Sequence, residues 1–380
     1  MNTPAEYDDI RAYEAKDLPG IYDQLLADEQ FCALLAHLYP GVPTEALRSQ
    51  LHACTTPLQF QKTFLYSYVF KLMEKLSTGL EFDTTSIDGG AWPCTFISNH
   101  RDIILDPALI AALLIQRGFP DTPEIAIGDN LLAFPWIKHL VRLNKAFIVQ
   151  RSLSMREALL ASRKMSRYMH YVIREKQSPI WIAQREGRAK DSNDRTQDAV
   201  LKMIAMGGEG TPLESLKEMN IVPVALSYEY DPCDFLKAKE FQLKRDDPAW
   251  KKSKADDLEN MQTGIFGFKG HIHFQTGKPV NNMADSFAES GKELFADMAR
   301  AIDKEIYAAY RLYPGNYVAA DLLRGTTEHE AYYNKEEKAR FEQYIAGQLQ
   351  KIDLPNPDET FLRERLLTMY ANPVFNHENC

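Results

Sequence analysis

The sequence predicts an α/β protein, a mostly parallel sheet flanked by helices, with helical regions at both ends of the chain. Three observations carry this. Between about residues 85 and 280, short runs rich in Ile, Val and Phe alternate with longer segments of helical periodicity, the pattern of strands joined by helical crossovers. Residues 1–80 and 285–350 place apolar residues at helical spacing without such runs. A chain of 380 residues, 45% hydrophobic and 26% charged, has ample material for a buried core.

In chain order, residues 1–80 form a predicted N-terminal helical region. Its periodic stretches are 21–38 and 58–76, the second carrying Phe60, Phe64, Tyr66, Tyr68 and Phe70. This reads as a packed helical cap, because Lys62, Lys71 and Lys75 make too sparse a basic face for a membrane-surface helix. Residues 81–284 form the α/β domain, with strands expected at 94–98, 124–128, 146–150, 179–184, 221–228 and 271–275. Helices are expected at 107–118, 133–142, 153–176 and 196–206. The mixed-charge segment 236–257 reads as a solvated excursion, and "GGEGTP" at 207–212 as a loop. Residues 285–380 form a C-terminal helical region, periodic over 285–311 and 328–350, with short helical and irregular pieces after Pro355.

Composition narrows the function. A formal net charge of -9 speaks against nucleic acid as the main partner. Five widely spaced cysteines form neither a zinc pattern nor a disulfide framework, which fits a reducing compartment. The polar, acidic N-terminus is not a signal peptide, and no stretch approaches about 20 apolar residues. A cytoplasmic protein, free or on a membrane surface, is expected. His271 and His273, alternating along a strand, read as structural, and no Gly-x-Ser-x-Gly elbow occurs.

The densest chemistry is "SNHRDIILDP", residues 98–107. Asp106-Pro107 has the character of a helix start, since aspartate caps and proline suits the first turn. The polar run then lies in a strand-to-helix turn at a strand's carboxyl end, where open α/β sheets bind ligands. There His100, oriented by an aspartate, can act as general base. Either Asp106 or Asp102 could be that aspartate. Three further clusters follow: Arg151 ending "AFIVQR", Arg185-Glu186-Gly187-Arg188 ending another strand, and "IVPVALSYE". The arginines offer forks suited to a phosphate.

Together the four blocks, spanning about residues 90–230, resemble the glycerolipid acyltransferase family, which acylates glycerol-3-phosphate and lysophosphatidate. "NHRDIILDP" resembles its histidine–aspartate block, with five residues between His100 and Asp106 where the family has four. "AFIVQR" lacks the usual leading glycine, "REGR" stands for Pro-Glu-Gly-Thr-Arg, and "IVPVALSYE" resembles the proline-containing strand. The resemblance implies that His100 deprotonates an acceptor hydroxyl, which attacks an acyl thioester. Asp106, or else Asp102, would hold the imidazole, and Arg101, Arg151, Glu186, Gly187 and Arg188 would position the acceptor head. It implies no metal and no bound cofactor, with acyl-CoA or acyl carrier protein as co-substrate. The altered blocks leave open a non-phosphate lyso-lipid acceptor, such as an acylated amino acid. Other readings are a non-catalytic membrane-associated binding protein on this scaffold and, more weakly, a metal hydrolase using His100 and Asp102.

Between Ile137 and Lys190 stand thirteen Lys/Arg against three Asp/Glu. This local excess reads as a surface for anionic lipid, acceptor phosphate or an acidic carrier protein. It carries the expectation of peripheral attachment to the inner face of the membrane.

Overall fold

The computed structural model describes residues 3–88, 90–132, 134–151 and 153–380. One sheet organises the chain. Its strands are β1 (Gly79–Asp83), β2 (Thr95–Ser98), β3 (Glu124–Gly128), β4 (Ala146–Val149), β5 (Ile180–Ala183), β6 (Ile221–Tyr228) and β7 (His271–Thr276). Their spatial order is β1-β7-β6-β2-β5-β3-β4. Every neighbouring pair is parallel except β6 with β7. The sheet is the mostly parallel one expected.

Alternation along the strands sends side chains to two cores. Ile97, Phe147, Ile180 and Ile221 join one, which the helices Met155–Arg174, Asp198–Ala205 and Lys292–Ala309 cover with Met169, Val172, Leu201, Ile302 and Ile306. Phe96, Trp181, Val222 and Phe274 join the other, under the helix Leu105–Gln116 and its Leu105, Leu109, Leu113 and Leu114. That helix is apolar around most of its circumference because the helix Ser67–Leu76 packs on its outer side. β2 lies centrally and is buried at all four positions. It is therefore the strand least able to shift, and the site hangs from its end.

The N-terminal helices enclose a third core, with Leu25, Phe31, Leu51 and Phe64. Tyr7 and Ile10 ahead of them pack into the sheet's core instead, and the Ile148 N–H donates to the Ile10 carbonyl at 2.9 Å. The C-terminal helices Pro314–Arg324, Lys335–Gln350 and Glu359–Glu378 form a fourth core around Phe341, Ile345 and Leu366.

Three expectations need correction. β1 was not expected, because an edge strand of five residues shows too brief an alternation. The segment 236–257 is not a solvated excursion: it contributes to the helices Asp234–Asp246 and Lys254–Phe266. There Lys237 is fully buried on Asp231, and Glu240 holds Lys190 and Lys244. Its charges look exposed in sequence because their partners lie elsewhere. The tail after Pro355 is mostly one helix of 20 residues, Glu359–Glu378, which carries Pro373 inside it. Its buried Leu362, Leu366, Tyr370 and Val374 show why packing sustains it.

Candidate active site

β2, β3, β4, β5 and β6 all run toward the same edge of the sheet. That edge gathers the polar blocks.

Past the end of β2, Asn99 extends the pairing with β6 through its side chain. Its Oδ1 accepts the Leu226 N–H at 2.7 Å and its Nδ2 donates to the Leu226 carbonyl at 3.0 Å. The next residue is His100. Its Nδ1 lies 2.8 Å from Asp106 Oδ2, and its side chain is 14% exposed while Asp106 is fully buried. The same Oδ2 accepts the backbone N–H groups of Arg101 at 2.6 Å and Asp102 at 3.0 Å. The Tyr228 hydroxyl donates to Oδ1 at 2.8 Å. Burial and the nearby Asp106 push the Tyr228 phenol well above its ordinary value, so it stays protonated and can donate. Four donors thus satisfy one buried carboxylate. Because a carboxylate accepts only, Nδ1 carries the imidazole proton and Nε2 keeps its lone pair. Trp181 meets the ring edge-on at 5.5 Å between centroids, and its Nε1 donates to Ser98 Oγ at 3.0 Å.

The structure brings Asp106, not Asp102, to His100. Asp102 Oδ1 accepts the N–H groups of Ile104 at 2.8 Å and Leu105 at 2.7 Å. It therefore holds the turn that leads into the helix Leu105–Gln116, whose N-cap is Ile104, while Asp106, expected as the cap, lies inside the first turn. Burial raises the Asp102 carboxyl above its ordinary value, and the Asp106 charge adds to this. The helix Lys254–Phe266 closes over it: a Cβ on Gly264 would stand 2.0 Å from Asp102 Oδ2.

Arg101 is not placed to hold a ligand. It is 4% exposed, and its guanidinium forks onto Asp194 at 2.8 and 2.5 Å. Tyr310 lies beneath it at 5.6 Å. It pins the His100 turn from behind.

Arg151 and Glu186 meet at the sheet edge, Nη1 to Oε1 at 3.4 Å, both exposed. The Glu186 N–H donates to Gln197 Oε1 at 2.8 Å. Gly187 has φ +67°, the left-handed region that turns this loop at little cost for glycine. Arg188 Nη2 donates to Asn260 Oδ1 at 3.1 Å. Among the described residues, Arg188 Nη1 and Arg185 Nε are buried donors without an acceptor.

The basic excess of 137–190 is largely neutralised. Lys145, Arg151, Lys164, Arg167, Arg174, Lys176 and Lys190 pair with Asp121, Glu186, Asp9, Glu6, Glu218, Glu124 and Glu240. Arg142 is buried against the carbonyls of Asp8 and Arg11. Most of these acidic partners come from outside the segment, so a local count could not see them. No helix among the described residues is long and apolar enough to cross a membrane.

Sequence reasoning assigned no role to Asn99, Asp194 or Tyr228. Asp194 sits in a polar loop with no periodic signal, and Tyr228 looks like any strand-end aromatic.

Residues 87–227 match the family model described as Acyltransferase, a span that contains the first three blocks and most of the fourth. Among solved structures, the 1-acyl-sn-glycerophosphate (LPA) acyltransferase PlsC from Thermotoga maritima is similar. The TM-score is 0.38 and the identity 13%, covering 77% of this chain and 92% of that one. No curated protein sequence matches the chain.

Proposed function

We propose that this chain, whose residues 87–227 match the acyltransferase family model, is a glycerolipid acyltransferase that acylates a lysophosphatidate or glycerol-3-phosphate-like acceptor, with acyl-CoA or acyl carrier protein as donor. The observation that carries this is the His100–Asp106 pair, with Nε2 left free at the carboxyl edge of the central strand.

In this reading, His100 Nε2 takes the proton of the acceptor hydroxyl as that oxygen attacks the thioester carbonyl. The tetrahedral intermediate collapses with cleavage of the C–S bond. The imidazolium returns its proton to the departing thiolate, so an ester and a free thiol leave and His100 is regenerated. Asp106 fixes the tautomer and stabilises the imidazolium, as an orienting carboxylate does in other histidine bases. Tyr228 and the two turn N–H groups fix Asp106 in turn. The unpaired donors of Arg185 and Arg188 suit phosphate oxygens, and Arg151, swung from its weak exposed pair with Glu186, can join them. Gly187 shapes the loop, and Arg101 positions the turn without touching substrate. The acceptor is presented at the surface of a membrane.

A non-phosphate lyso-lipid is the second reading. It is favoured by Glu186 lying against Arg151, which spends part of the positive charge on a protein carboxylate.

The test is thioester consumption by purified protein with either donor and a panel of lysophosphatidate, glycerol-3-phosphate and N-acyl amino acid. Phosphate-bearing acceptors should be used, and His100→Ala should abolish turnover. Preference for the N-acyl amino acid would select the second reading, and turnover unchanged in His100→Ala would remove the mechanism.

A further inference from the structure

Eleven large hydrophobic side chains stand more than a third exposed among the described residues; four of them fall within residues 153–160, and a fifth, Phe134, lies in the neighbouring connection. Phe134 is 47% exposed, Leu153 37%, Met155 92%, Leu159 52% and Leu160 60%. Phe134 belongs to the connection from β3 to β4, and the others follow β4 into the helix Met155–Arg174. Those strands are neighbours at one end of the sheet, and both connections leave from the edge that bears His100. The Arg151 N–H ties them, donating to Asp129 Oδ1 at 3.2 Å.

Singly exposed apolar residues are ordinary on a protein surface. Here Met155 and Leu159 stand one helical turn apart with Leu160 beside them, all projecting from the first two turns of a helix. Lys138, Arg156 and Arg163 are exposed around them. These three join none of the ion pairs that neutralise Arg151, Lys164 and Arg167 nearby. An apolar projection accompanied by exposed cations with long aliphatic stems, two on the same helix and one on the helix after Phe134, is the composition that enters the headgroup layer of an anionic bilayer.

We propose that Phe134 and residues 153–160 form a wedge that inserts into an anionic membrane surface and turns the His100 edge toward it. The proposal rests on the reading above only in taking the acceptor to be a membrane lipid. It also relocates the membrane contact from a broad basic face, most of whose charges are paired, to an apolar tip with three cations. An acidic carrier protein fits this patch less well, because protruding aliphatic side chains match hydrocarbon while a carrier would need a broader basic face than three cations, and the neighbouring Arg151, Lys164 and Arg167 are already paired.

The experiment is co-sedimentation of the full chain with vesicles of phosphatidylglycerol and phosphatidylcholine in equal parts, and of phosphatidylcholine alone. Wild type should bind the anionic vesicles and bind the neutral ones more weakly. The double variant Leu159→Ser/Leu160→Ser, at positions already exposed, should melt like wild type. It should bind anionic vesicles about tenfold less, or weaker still, from the lost burial of two leucines. Its turnover of a short-chain acceptor dispersed as monomers should equal wild type, while turnover of a vesicle-borne acceptor falls.

Wild type that stays in the supernatant overturns the proposal, as does a double variant that binds like wild type. Recruitment to carrier protein and not to vesicles also overturns it. Vesicle binding that depends on Leu159 and Leu160, without acylation of any lyso-lipid, supports the wedge while removing the proposed acceptor.

Discussion

Two imidazoles in this molecule sit 2.8 Å from an aspartate through Nδ1, and they are built for different ends. His100 faces Asp106 at the edge of the sheet. His329 faces Asp321 among the C-terminal helices. Both aspartates are buried and both accept further donors, Asp321 from the Tyr333 hydroxyl at 2.8 Å and the His329 N–H at 3.2 Å. The difference lies at the other nitrogen. His329 Nε2 is held 2.9 Å from Glu378, which Arg324 also grips, so the ring is a clamp between two carboxylates. His100 Nε2 has no partner among the described residues, and the ring stands just past the carboxyl end of the central strand. A short histidine–aspartate bond is therefore no signature of catalysis. The far nitrogen, held in one ring and without a partner among the described residues in the other, is what separates the two pairs, and under the proposed function it separates base from clamp.

The comparison breaks most sharply if the two histidines are exchanged in their effects. His100→Ala should lower acyl transfer by about 10²–10⁴-fold, the contribution of a positioned general base, with the melting temperature unchanged. His329→Ala should leave kcat near wild type and lower the melting temperature. Equal activity losses from both, in steady-state assays of purified variants, would erase the distinction.

The two aspartates of the first block sharpen it next. Asp106→Asn places an amide where Nδ1 needs an acceptor, and should cost on the order of a hundredfold in kcat. Asp102→Asn should stay within a few-fold, because an asparagine side-chain oxygen can accept the same Ile104 and Leu105 N–H groups. A larger loss at Asp102 would return it to the role of partner. Arg101→Ala tests the same turn from behind. It strands Asp194 in the interior and should cost about 3–5 kcal/mol of stability, read by chemical denaturation, with KM little affected in the protein that remains folded. A selective rise in KM for the acceptor would instead make Arg101 a ligand.

The turn itself was legible because its information is local: strand, His100, and two aspartates within six residues. The sheet was legible for the same reason, since runs such as Ile221–Tyr228 are buried at every position and show it. What stayed hidden depends on partners far along the chain. Arg101 reads as a phosphate ligand until Asp194, 93 residues on, takes both its nitrogens. The basic excess of 137–190 reads as a surface until Glu6, Asp9, Asp121 and Glu240 arrive from other elements. Lys237 and Glu240 likewise make a packed helix look solvated. Charge is the property whose meaning in a sequence changes most on folding, because an ion's worth is set by what it meets.

The smallest expected effect concerns the clamp and follows from its titration. Burial opposes the charge on His329, but the bonds to Asp321 and Glu378 outweigh it and raise the imidazole above its ordinary value. A group raised on folding stabilises fully below its unfolded value, about 6.5 for histidine, and loses that contribution as pH rises through the folded value. The carboxylates run the other way. For Asp321 burial again opposes the shift, and the bonds from His329 and Tyr333 prevail; for Glu378 the Arg324 bond leads; both end lowered. Their contribution is present above the ordinary carboxylate range and fades as pH falls through it. The clamp should thus be worth most between about pH 4.5 and 6.5, on the order of 1 kcal/mol given that Glu378 is 35% exposed. Melting wild type and His329→Gln across this range should give a difference that is largest near pH 5.5 and shrinks toward pH 8. A difference that grows toward alkaline pH would mean the ring is neutral in the fold, and the contrast with His100 would then have to rest on position alone.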